Sequence, residues 1–504
     1  MLTSSSLVLG LALGVAGQQA APAPSSSSAA AAPAAAPAPA ALLPYLAVVP
    51  LAPAGAIKPK DAHLGSLLAV MLENAALQNP GLNVVTQGAQ AELLDDMGIK
   101  PGTPITEETA KKLAMLTGAT HVVFGTFEPA TGAAFTAKVR TFGVLAGTAK
   151  DLVVVTAPAA DLVARLAEAL GRELGLSALP APTLPATEKA QKGYAACATF
   201  TAVALERAAV KGRKVTPPRN ALAACKDAAA DKSNAAGHGA LLAARLLTGD
   251  AKALGDMQKH VAANPSDRLA ALVLLRRLFE DGKFEDAATL LKAVAVVRPR
   301  DPDVFRMAGE LEIQKDAWDS ARRNFQNAVN EAPNSPYLRY RLSYASYRTD
   351  QPKDALEHAR QALKLSGGDA PFYQLNLAER LLDSGQASEA ALQLERSVKA
   401  TPNRLTPRVR LGYAYLLQGD ADNALQTLQD AEKIPASDRE KDRGMDLLLK
   451  IDLARAHALK GNTKDALKYL KALEKAGALE TADLNAPEFQ KLRDTPEFKK
   501  LKAR

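Results

Sequence analysis

Apolar residues follow two different patterns along this chain. Residues 42–176 contain short apolar runs of strand length separated by amphipathic helical stretches, whereas residues 188–475 have helical periodicity almost throughout. The first region predicts the order β-α-β-α-α-β-β-β-α, an α+β domain long enough to bury its own core. The predicted strands are Tyr45–Ala52, Leu82–Val85, Thr120–Phe127, Ala134–Phe142 and Asp151–Thr156, and the predicted helices are Asp61–Gln78, Ala89–Met97, Thr106–Thr117 and Pro158–Leu174.

Seven alanines mark a repeat in the helical region. Consecutive members are separated by 34, 34, 34, 35, 34 and 42 residues. A unit of this length predicts pairs of antiparallel helices that stack on their neighbours. The alanines are Ala253, Ala287, Ala321, Ala355, Ala390, Ala424 and Ala466.

Four further positions recur in phase with the alanines, which makes chance a poor explanation. Five residues before six of the seven alanines, a glycine or aspartate suits the left-handed turn at a helix end. Twelve residues before the alanine there is usually a small residue, which lets two helices approach closely. Four residues after it the side chain is usually large and apolar, and twelve after it a proline or glycine usually ends the helix. The turn residues are Gly282, Asp316, Asp350, Gly385, Gly419 and Gly461, and the small residues are Gly309, Ser343, Ala378, Gly412 and Ala454. The large residues are Leu291, Phe325, Leu394, Leu428 and Leu470, and the helix stops are Pro265, Pro299, Pro333, Gly367 and Pro402.

Residues 232–475 therefore resemble the tetratricopeptide-repeat family. The resemblance implies an all-α solenoid of about seven helix-turn-helix units, a right-handed superhelix of helix pairs that binds other proteins. The last unit carries about eight additional residues, which we assign to a longer loop at Ile434–Arg443.

Segments on both sides of the array are expected to be helical. A degenerate unit is predicted at 188–231, with helices Glu188–Ala209 and Asn220–Ala230, although its loop, Val210–Arg219, is longer than the family pattern allows. Residues 476–504 contain two Pro-Glu-Phe motifs, and we expect two short amphipathic helices that cover the last apolar edge. A docking peptide is the alternative interpretation of these motifs.

The α+β region resembles a second family. After the run Val48–Ala52 come a helix, a strand that ends Val84-Val85 and the pair Leu93-Leu94. In Leu116–Gly125 a Gly-Ala pair precedes an apolar strand that ends in glycine. These elements look like the amino-terminal domain of TolB and its relatives, including flagellar and curli-type outer-membrane accessory proteins. The resemblance implies a protein-interaction module of the cell envelope, which a proline-rich segment at 177–187 joins to the helical region.

The beginning of the sequence has the composition of an exported protein. Residues 1–57 contain no charged side chain, and Leu7–Ala16 is an apolar run too short to span a bilayer. We interpret residues 1–20 as a signal peptide, with cleavage near Gly17 or Ala21, although no lysine or arginine precedes the apolar run. Residues 21–41 form a low-complexity linker that cannot bury a core. The expected location is the periplasm or the outer membrane, and a disordered cytosolic tail is the alternative.

The net charge of the chain says little about the class of its binding partner. The chain has a net charge of +8, with −2 in residues 1–183 and +10 in the remainder. The basic excess is interleaved with acidic residues, as on a solvated helix surface. A nucleic-acid-binding protein would need a dense basic stripe and a known module, and the sequence has neither. We expect a protein partner, with an acidic segment as one candidate.

The sequence offers little reactive chemistry. It contains no P-loop, no G-x-S-x-G motif and no H-E-x-x-H motif, and its six histidines are scattered singly. No catalytic activity, cofactor, metal or small-molecule substrate is therefore expected. The two cysteines, Cys197 and Cys225, lie on the two helices of the degenerate unit. An antiparallel helix pair in an oxidising compartment would bring them within disulfide reach, and two buried free thiols are the alternative.

The candidate binding residues follow from the repeat phase. The resemblance places first-helix positions on the concave face, at 18, 15, 11 and 8 residues before each repeated alanine. In the unit of Ala355 all four positions are tyrosines, at helical spacing. Tyrosine and arginine are enriched at binding hot spots, but tyrosines at this spacing also pack between neighbouring repeats. The predicted groove residues are Tyr337, Tyr340, Arg341, Tyr344, Tyr347, Arg348, Arg306, Glu310, Phe372, Leu375, Glu379 and Tyr413, and Trp318 is expected to be structural.

Together these features predict a non-catalytic scaffold of the cell envelope. The repeats would hold a partner segment while the α+β domain docks on another envelope component. Two alternatives remain open: a cytosolic regulatory adaptor, and a structural subunit of a secretion, pilus or motility machine.

Overall fold

The computed structural model describes residues 42–132, 134–176, 179–211, 220–439 and 442–501. The predicted signal peptide and linker, residues 1–41, lie outside these described residues, as does most of the predicted loop Val210–Arg219. The folded chain forms two compact units, one comprising residues 42–400 and the other beginning at Thr401.

The first unit begins with a mixed sheet in the order β3-β1-β4-β5-β6. Strand β1 is parallel to β3 and β4, whereas β4, β5 and β6 form an antiparallel meander. The predicted strand Tyr45–Ala52 is interrupted at Pro50, which has no N–H for the ladder, and a two-residue strand, β2, pairs with β4 beyond it. The strands are β1 Tyr45–Val48, β2 Ala52–Pro53, β3 Asn83–Val84, β4 His121–Pro129, β5 Ala134–Gly143 and β6 Thr148–Pro158.

Four helices accompany the sheet in the order predicted from the sequence. The helix α3 begins where expected, because the hydroxyl of Thr106 accepts a hydrogen bond from the Thr109 amide at 3.1 Å. A single 3-10 turn covers Pro59–Asp61. The helices are α1 Leu64–Leu77, α2 Gln87–Asp96, α3 Glu107–Thr117 and α4 Ala159–Glu173.

Helix pairs make up the rest of the first unit, so the predicted fold class is confirmed. Six successive pairs follow one another in antiparallel fashion, joined by short turns. They are α5 Glu188–Lys211, α6 Ala221–Ala229, α7 Ala235–Leu247, α8 Ala253–Ala263, α9 Arg268–Glu280, α10 Phe284–Val297, α11 Pro302–Gln314, α12 Trp318–Glu331, α13 Pro336–Arg348, α14 Pro352–Leu365, α15 Pro371–Asp383 and α16 Ala387–Ala400.

The recurring residues occupy the interior of these pairs. All seven repeated alanines are fully buried. A Cβ added to Gly309 would lie 2.7 Å from the ring of Phe325, so the small residue and the large residue of one unit face each other. The unit of Ala355 has a different pair at these positions, with Ser343 in place of the glycine and Ala359 in place of the large residue. The Ser343 hydroxyl donates a hydrogen bond to the carbonyl of Ala355 at 2.7 Å.

The turn positions adopt the left-handed conformation expected of them. Asp316 and Asp350 have φ values of 56° and 55° and are the non-glycine residues of the described chain with positive φ. The glycines at the other turn positions have φ between 70° and 75°. This conformation carries little strain for glycine and is tolerated by aspartate.

The α/β region shares its apolar core with the helix pairs. On one side of the sheet, α1 and α4 belong to a cluster that also contains Cys197 of α5 and Ala240 of α7. On the other side, Tyr45 and Val49 belong to a cluster that includes Phe325 of α12 and Leu342 of α13. The two regions thus fold as one body, although the sequence suggested two domains connected by a linker.

Buried charges join the two regions at a site that we call the junction, formed by Glu73, Asn83, Arg268, Arg298 and Asp301. The side chain of Arg298 is 4% exposed. Its guanidinium donates to the carbonyl oxygen of Leu82 at 2.7 Å and to a carboxylate oxygen of Asp301 at 3.1 Å, and it also contacts the Leu77 carbonyl. Arg268 shares the same carboxylate oxygen at 3.1 Å. Asn83 completes the contact by donating to the carbonyl of Arg300 at 2.9 Å.

The junction also contains an acid, Glu73, that forms no ion pair with another described residue. Glu73 faces a cavity of about 260 Å³ between α1, α5, α7 and α9. Its Oε2 atom is buried and has no hydrogen-bond partner among the described residues. Burial raises the pKa of Glu73 to about 7, against a partial opposing effect of Arg268.

The unit that begins at Thr401 continues the helix pairs and ends in short turns. The predicted loop Ile434–Arg443 contains the four-residue helix α19, and Arg439 at its end pairs with Asp446 at 2.6 Å. Near the carboxyl end, Phe489 and Phe498 pack together on the last pair, with ring centroids 5.9 Å apart. The helices are α17 Leu405–Leu417, α18 Ala421–Glu432, α19 Ala436–Arg439, α20 Arg443–Leu459, α21 Thr463–Lys475, α22 Thr481–Leu484 and α23 Pro496–Lys499, with a 3-10 turn at Pro487–Phe489.

Candidate protein-binding face

The helix α13 presents a stripe of tyrosines because its start is fixed by two local features. Ser335 caps the helix by accepting from the Leu338 amide at 3.4 Å, and Pro336 occupies the first turn. With this start, Leu338 and Leu342 point into the core. The tyrosines at the remaining helical positions are left on the outside of the helix.

These tyrosines and one phenylalanine form a surface that we call the aromatic face, comprising Tyr337, Tyr340, Tyr344 and Tyr347 of α13 and Phe372 of α15. Phe372 is 51% exposed and Tyr337 is 36% exposed, while the other three rings are half-buried. Tyr340 contacts the edge of Phe372 with centroids 4.7 Å apart and approaches Tyr337 at 6.1 Å. The rings therefore pack on one another and remain partly exposed to solvent. This arrangement combines the two alternatives that the sequence left open, a binding surface and packing between repeats.

The hydroxyl groups of the face remain available. Within the described residues, the hydroxyls of Tyr337, Tyr340, Tyr344 and Tyr347 form no hydrogen bond with another residue. Burial raises the pKa of Tyr340 and raises that of Tyr337 to about 12, so both stay protonated at neutral pH and can donate.

The arginines around the face are already paired with carboxylates. Arg341 binds Glu310 of α11, and Arg306 binds Asp303 at 2.9 Å. Arg380 is buried and reaches Asp383 at 3.2 Å.

Two arginines also stack on aromatic rings at the carboxyl-terminal end of α13. The guanidinium of Arg348 stacks over the ring of Trp318 at 3.8 Å, and Trp318 meets the edge of Tyr344 at 5.5 Å. The guanidinium of Arg380 stacks over Tyr347 at 4.0 Å. Such cation–π contacts hold these rings in fixed positions.

The structure brings together only part of the predicted groove. Tyr337, Tyr340 and Phe372 form the open end of the aromatic face, whereas Arg306 and Glu310 are engaged in ion pairs at its side. Arg341 and Arg348 flank the rings, and Glu379 lies beside Arg380. Leu375 is half-buried on α15, and Tyr413 belongs to α17 of the other unit.

Sequence reasoning missed two residues of this surface. Arg380 and Tyr373 stand one position away from predicted residues, and Tyr373 contacts Phe372 with centroids 5.1 Å apart. Trp318, which was expected to be structural, packs its ring against the edge of Tyr344. The repeat phase gives no signal for such contacts between neighbouring units.

The two cysteines lie on α5 and α6. The structure joins Cys197 and Cys225 in a disulfide, with their Cα atoms 4.8 Å apart. Both belong to the apolar cluster next to the junction. The bond would tie the two helices of the first pair to each other in an oxidising compartment.

Two other features are absent from the residues that the structure describes. No group of three or more histidine, cysteine, aspartate or glutamate side chains is arranged there to hold a metal ion. In the same residues no helix has the length and apolar character needed to cross a membrane.

Comparison with protein families assigns part of the helix pairs. A tetratricopeptide-repeat model matches residues 306–370 and 375–439, which include the four tyrosines of the aromatic face but not Phe372. These two stretches are tetratricopeptide repeats. The match does not extend to residues 42–176, so the resemblance of this region to the TolB amino-terminal domain stays a prediction.

Solved tetratricopeptide structures are similar to parts of this array. YrrB, described as a tetratricopeptide protein with an unusual peptide-binding site, is 20% identical and gives a TM-score of 0.31, covering 35% of this chain and 91% of its own. PilW, a type IV pilus biogenesis factor, is 19% identical with a TM-score of 0.34, covering 44% and 94%. PilF of Pseudomonas aeruginosa is 13% identical with a TM-score of 0.36, covering 44% and 95%. No curated protein sequence matches this chain.

Proposed function

We propose that this protein is a non-catalytic scaffold of the cell envelope whose repeats hold a segment of a partner protein on the aromatic face. Tetratricopeptide repeats imply protein partners. The observation that carries the proposal is the open end of the face, where Phe372 is 51% exposed against Tyr340 and the tyrosine hydroxyls are unoccupied. Exposed aromatic rings with polar tips are typical of binding hot spots.

The shared core supports a rigid presentation of this face. Ser335, which begins α13, lies directly against Gly118 at the end of α3. A binding helix that is held by two regions loses little conformational entropy when a partner binds, which favours affinity.

A second surface supports docking by the α/β region. The turn between β5 and β6 carries Val144 and Leu145, and the side chain of Leu145 is fully exposed. Together with Val144, which is 38% exposed, it leaves two adjacent apolar side chains at the tip of the hairpin. We propose this tip as the contact with the envelope assembly.

The acidic partner segment expected from the sequence receives no support from the charges. Arg306, Arg341 and Arg380 each have a carboxylate neighbour, so an acidic ligand would have to displace it. The aromatic surface carries the binding in this proposal, and a bound segment needs no charge.

The test is capture of partners from a membrane fraction by the immobilised protein. The double variant Tyr340→Ala, Phe372→Ala should lose bands that the wild-type protein retains. The matched control is Val296→Ala, Leu392→Ala, which removes exposed apolar side chains elsewhere on the helix pairs. Unchanged capture by the first variant, with its circular dichroism intact, would refute binding on this face.

The envelope location has its own measurement. Mass spectrometry of the native protein should find an amino terminus near residues 18–22. Recovery of intact Met1 in the cytoplasmic fraction would remove the envelope part of the proposal and leave the cytosolic adaptor.

A further inference from the structure

The cavity beside Glu73 has an open mouth and an apolar interior. It measures about 260 Å³ and lies between α1, α5, α7 and α9 of the first unit. Its lining includes the exposed residues Gln78, Ala235 and Ser266, so it opens to solvent there. The deeper walls are buried and consist mainly of small or branched apolar side chains. These are Val70, Ala198, Ala202, Ala240 and Leu272.

One wall of the cavity is polar. Tyr194 of α5 is 3% exposed, and its hydroxyl accepts a hydrogen bond from the Asn74 amide at 2.7 Å. Glu73 of α1 and Asp267, which caps α9, also line the cavity. Burial raises the pKa of Tyr194, and the charges of Asp267 and Glu73 raise it further, against the opposing effect of the hydrogen bond from Asn74. Two carboxylates and a phenol therefore lie around the same space.

The cations near this wall are already engaged. Arg268 donates to a carboxylate oxygen of Asp301 at 3.1 Å, and His260 binds Asp267 at 2.9 Å. Glu73 forms no ion pair within the described residues, and its Oε2 atom has no hydrogen-bond partner there. The cavity wall therefore has a carboxylate in need of a counter-charge, whereas an anionic ligand would have to displace Asp301 from its arginine.

Size and polarity together select the ligand. A cavity of about 150 Å³ admits benzene, so a space of about 260 Å³ admits a ring with a short polar arm. The apolar walls favour a hydrocarbon body. A carboxylate favours an ammonium group, because a charge-assisted hydrogen bond is stronger than a neutral one. The three donors of an ammonium group suit the acceptors on Glu73 and Tyr194.

We propose that this cavity binds a small organic cation, with its ammonium group against Glu73 and Tyr194 and its hydrocarbon body against the apolar walls. The site goes beyond the proposed scaffold function and is separate from the aromatic face. The bound cation supplies the counter-charge that Glu73 lacks when it is ionised. Because α1 belongs to the α/β region and α5, α7 and α9 to the helix pairs, the ligand stabilises their contact and, by mass action, the folded chain.

Binding should depend on pH in a defined direction. Burial raises the pKa of Glu73 to about 7, against a partial effect of Arg268, so the carboxylate is largely protonated at pH 5 and ionised at pH 8. An ammonium group binds the ionised form, so the affinity should rise at least about tenfold between these values. The other charged groups of the cavity wall are Asp267, paired with His260, and Arg268. Glu73→Gln separates the titration of Glu73 from any effect of these groups.

The experiment titrates the full chain with benzylamine by isothermal titration calorimetry at pH 8. Benzyl alcohol and benzoate are the matched neutral and anionic probes. We expect saturable binding of benzylamine with a Kd below about 1 mM. The other two probes should bind at least about tenfold more weakly, because they lack the charge-assisted hydrogen bond. At pH 7 benzylamine should release a fraction of a proton, which titrations in buffers of different ionisation enthalpy measure.

Variants locate the site. Glu73→Gln should weaken benzylamine binding at least about tenfold and remove its pH dependence. Glu285→Gln, whose side chain is 91% exposed, is the control and should bind like the wild-type protein. Ala236→Leu, at a half-buried lining position, should block benzylamine by filling the space. Melting temperatures show whether each variant is folded.

Three outcomes would overturn the inference. Absence of saturable benzylamine binding would show a cavity that holds water only. Equal affinity for benzylamine and benzyl alcohol would remove the role of charge, and equal affinity of the wild-type protein and Glu73→Gln would place the ligand elsewhere. If Glu73→Gln does not fold, the comparison of the three probes on the wild-type protein decides. None of these results concerns the scaffold proposal, which depends on partner capture through Tyr340 and Phe372.

Discussion

The junction and the aromatic face are built from the same kinds of side chain and differ in what surrounds them. At the junction, Arg298 is buried between the α/β region and Asp301, and all its contacts are internal. At the aromatic face, Arg341 also has a carboxylate partner, but the rings beside it are open to water. At the junction, the buried ion pair fixes the α/β region against the helix pairs. At the aromatic face, the ion pair neutralises the arginine and leaves the neighbouring rings as an uncharged apolar surface.

The comparison teaches that residue type alone does not identify a binding site here. Tyr45 and Tyr340 are both tyrosines close to arginine, yet Tyr45 is buried, which raises its pKa, and its ring lies in the core. The exposure of the ring separates the two residues. Four sets of substitutions test this difference between the junction and the aromatic face.

The largest effect is expected at the centre of the junction. Arg298→Ala removes the donor to the Leu82 carbonyl and leaves buried acceptors without a partner, and breaking such a buried network costs about 3 to 5 kcal/mol of unfolding free energy. Urea unfolding followed by circular dichroism measures the change. Arg323→Ala, an exposed arginine on α12, is the control and should change the stability by less than about 0.5 kcal/mol. Equal effects of the two variants would show that the junction does not hold the unit together.

The next effect concerns the disulfide beside the junction. Cys197→Ala, Cys225→Ala should lower the unfolding free energy by about 3 kcal/mol, because the bond restricts the unfolded chain. A reducing agent should destabilise the wild-type protein by a similar amount and leave the double variant unaffected. Identical unfolding of wild-type protein with and without the reductant would mean that the thiols are free.

A pH-dependent effect is expected at Glu73. Its pKa is raised from 4.5 to about 7 in the folded protein, so the folded state binds more protons than the unfolded state between these values. The contribution of Glu73 to the free energy of unfolding is therefore greatest below about pH 4.5. It is lost as the pH rises through 7, a decline of up to about 3 kcal/mol.

Glu73→Gln should remove this decline. Urea unfolding at pH 5 and pH 8 should show a smaller difference for the variant than for wild-type protein, with the variant more stable at pH 8. Glu285→Gln, at an exposed position, is the control. Parallel pH profiles for wild-type protein and Glu73→Gln would contradict the assigned pKa.

The smallest effect on stability is expected at the aromatic face. Phe372→Ala should change the unfolding free energy by less than about 1 kcal/mol, because half of its side chain is already in water. The matched change Phe325→Ala, at a fully buried ring, should cost about 3 to 5 kcal/mol. A large loss at Phe372 would show that this residue is part of the core and not a free binding surface.

Much of the fold could be predicted because the repeat imposes local constraints. The alanine spacing placed Gly309 against Phe325, and the same phase put Asp316 and Asp350 at left-handed turns. The stripe Tyr337–Tyr347 followed from helical geometry once the phase was known. Each of these inferences depends on residues less than one unit apart.

The contacts that cross between regions could not be predicted. Nothing in the segment around Arg298 indicates that its side chain reaches the carbonyl of Leu82, since the two residues are 216 positions apart. The same applies to the neighbours of Phe372, because ring contacts between α13 and α15 depend on how consecutive units are rotated. The pairing of Arg341 with Glu310 likewise became visible only when α11 and α13 were placed side by side.

The sequence by itself determined the helix pairs, the order of the α/β elements and the helix face that carries the tyrosines, because periodicity and turn residues act over short distances. Tertiary structure decided that the α/β region shares a core with the repeats, that Glu73 and Arg298 are buried at their contact, and that Tyr340 and Phe372 form an open surface. Burial depends on which distant segments pack together, and burial is what separates a structural ion pair from an exposed binding face.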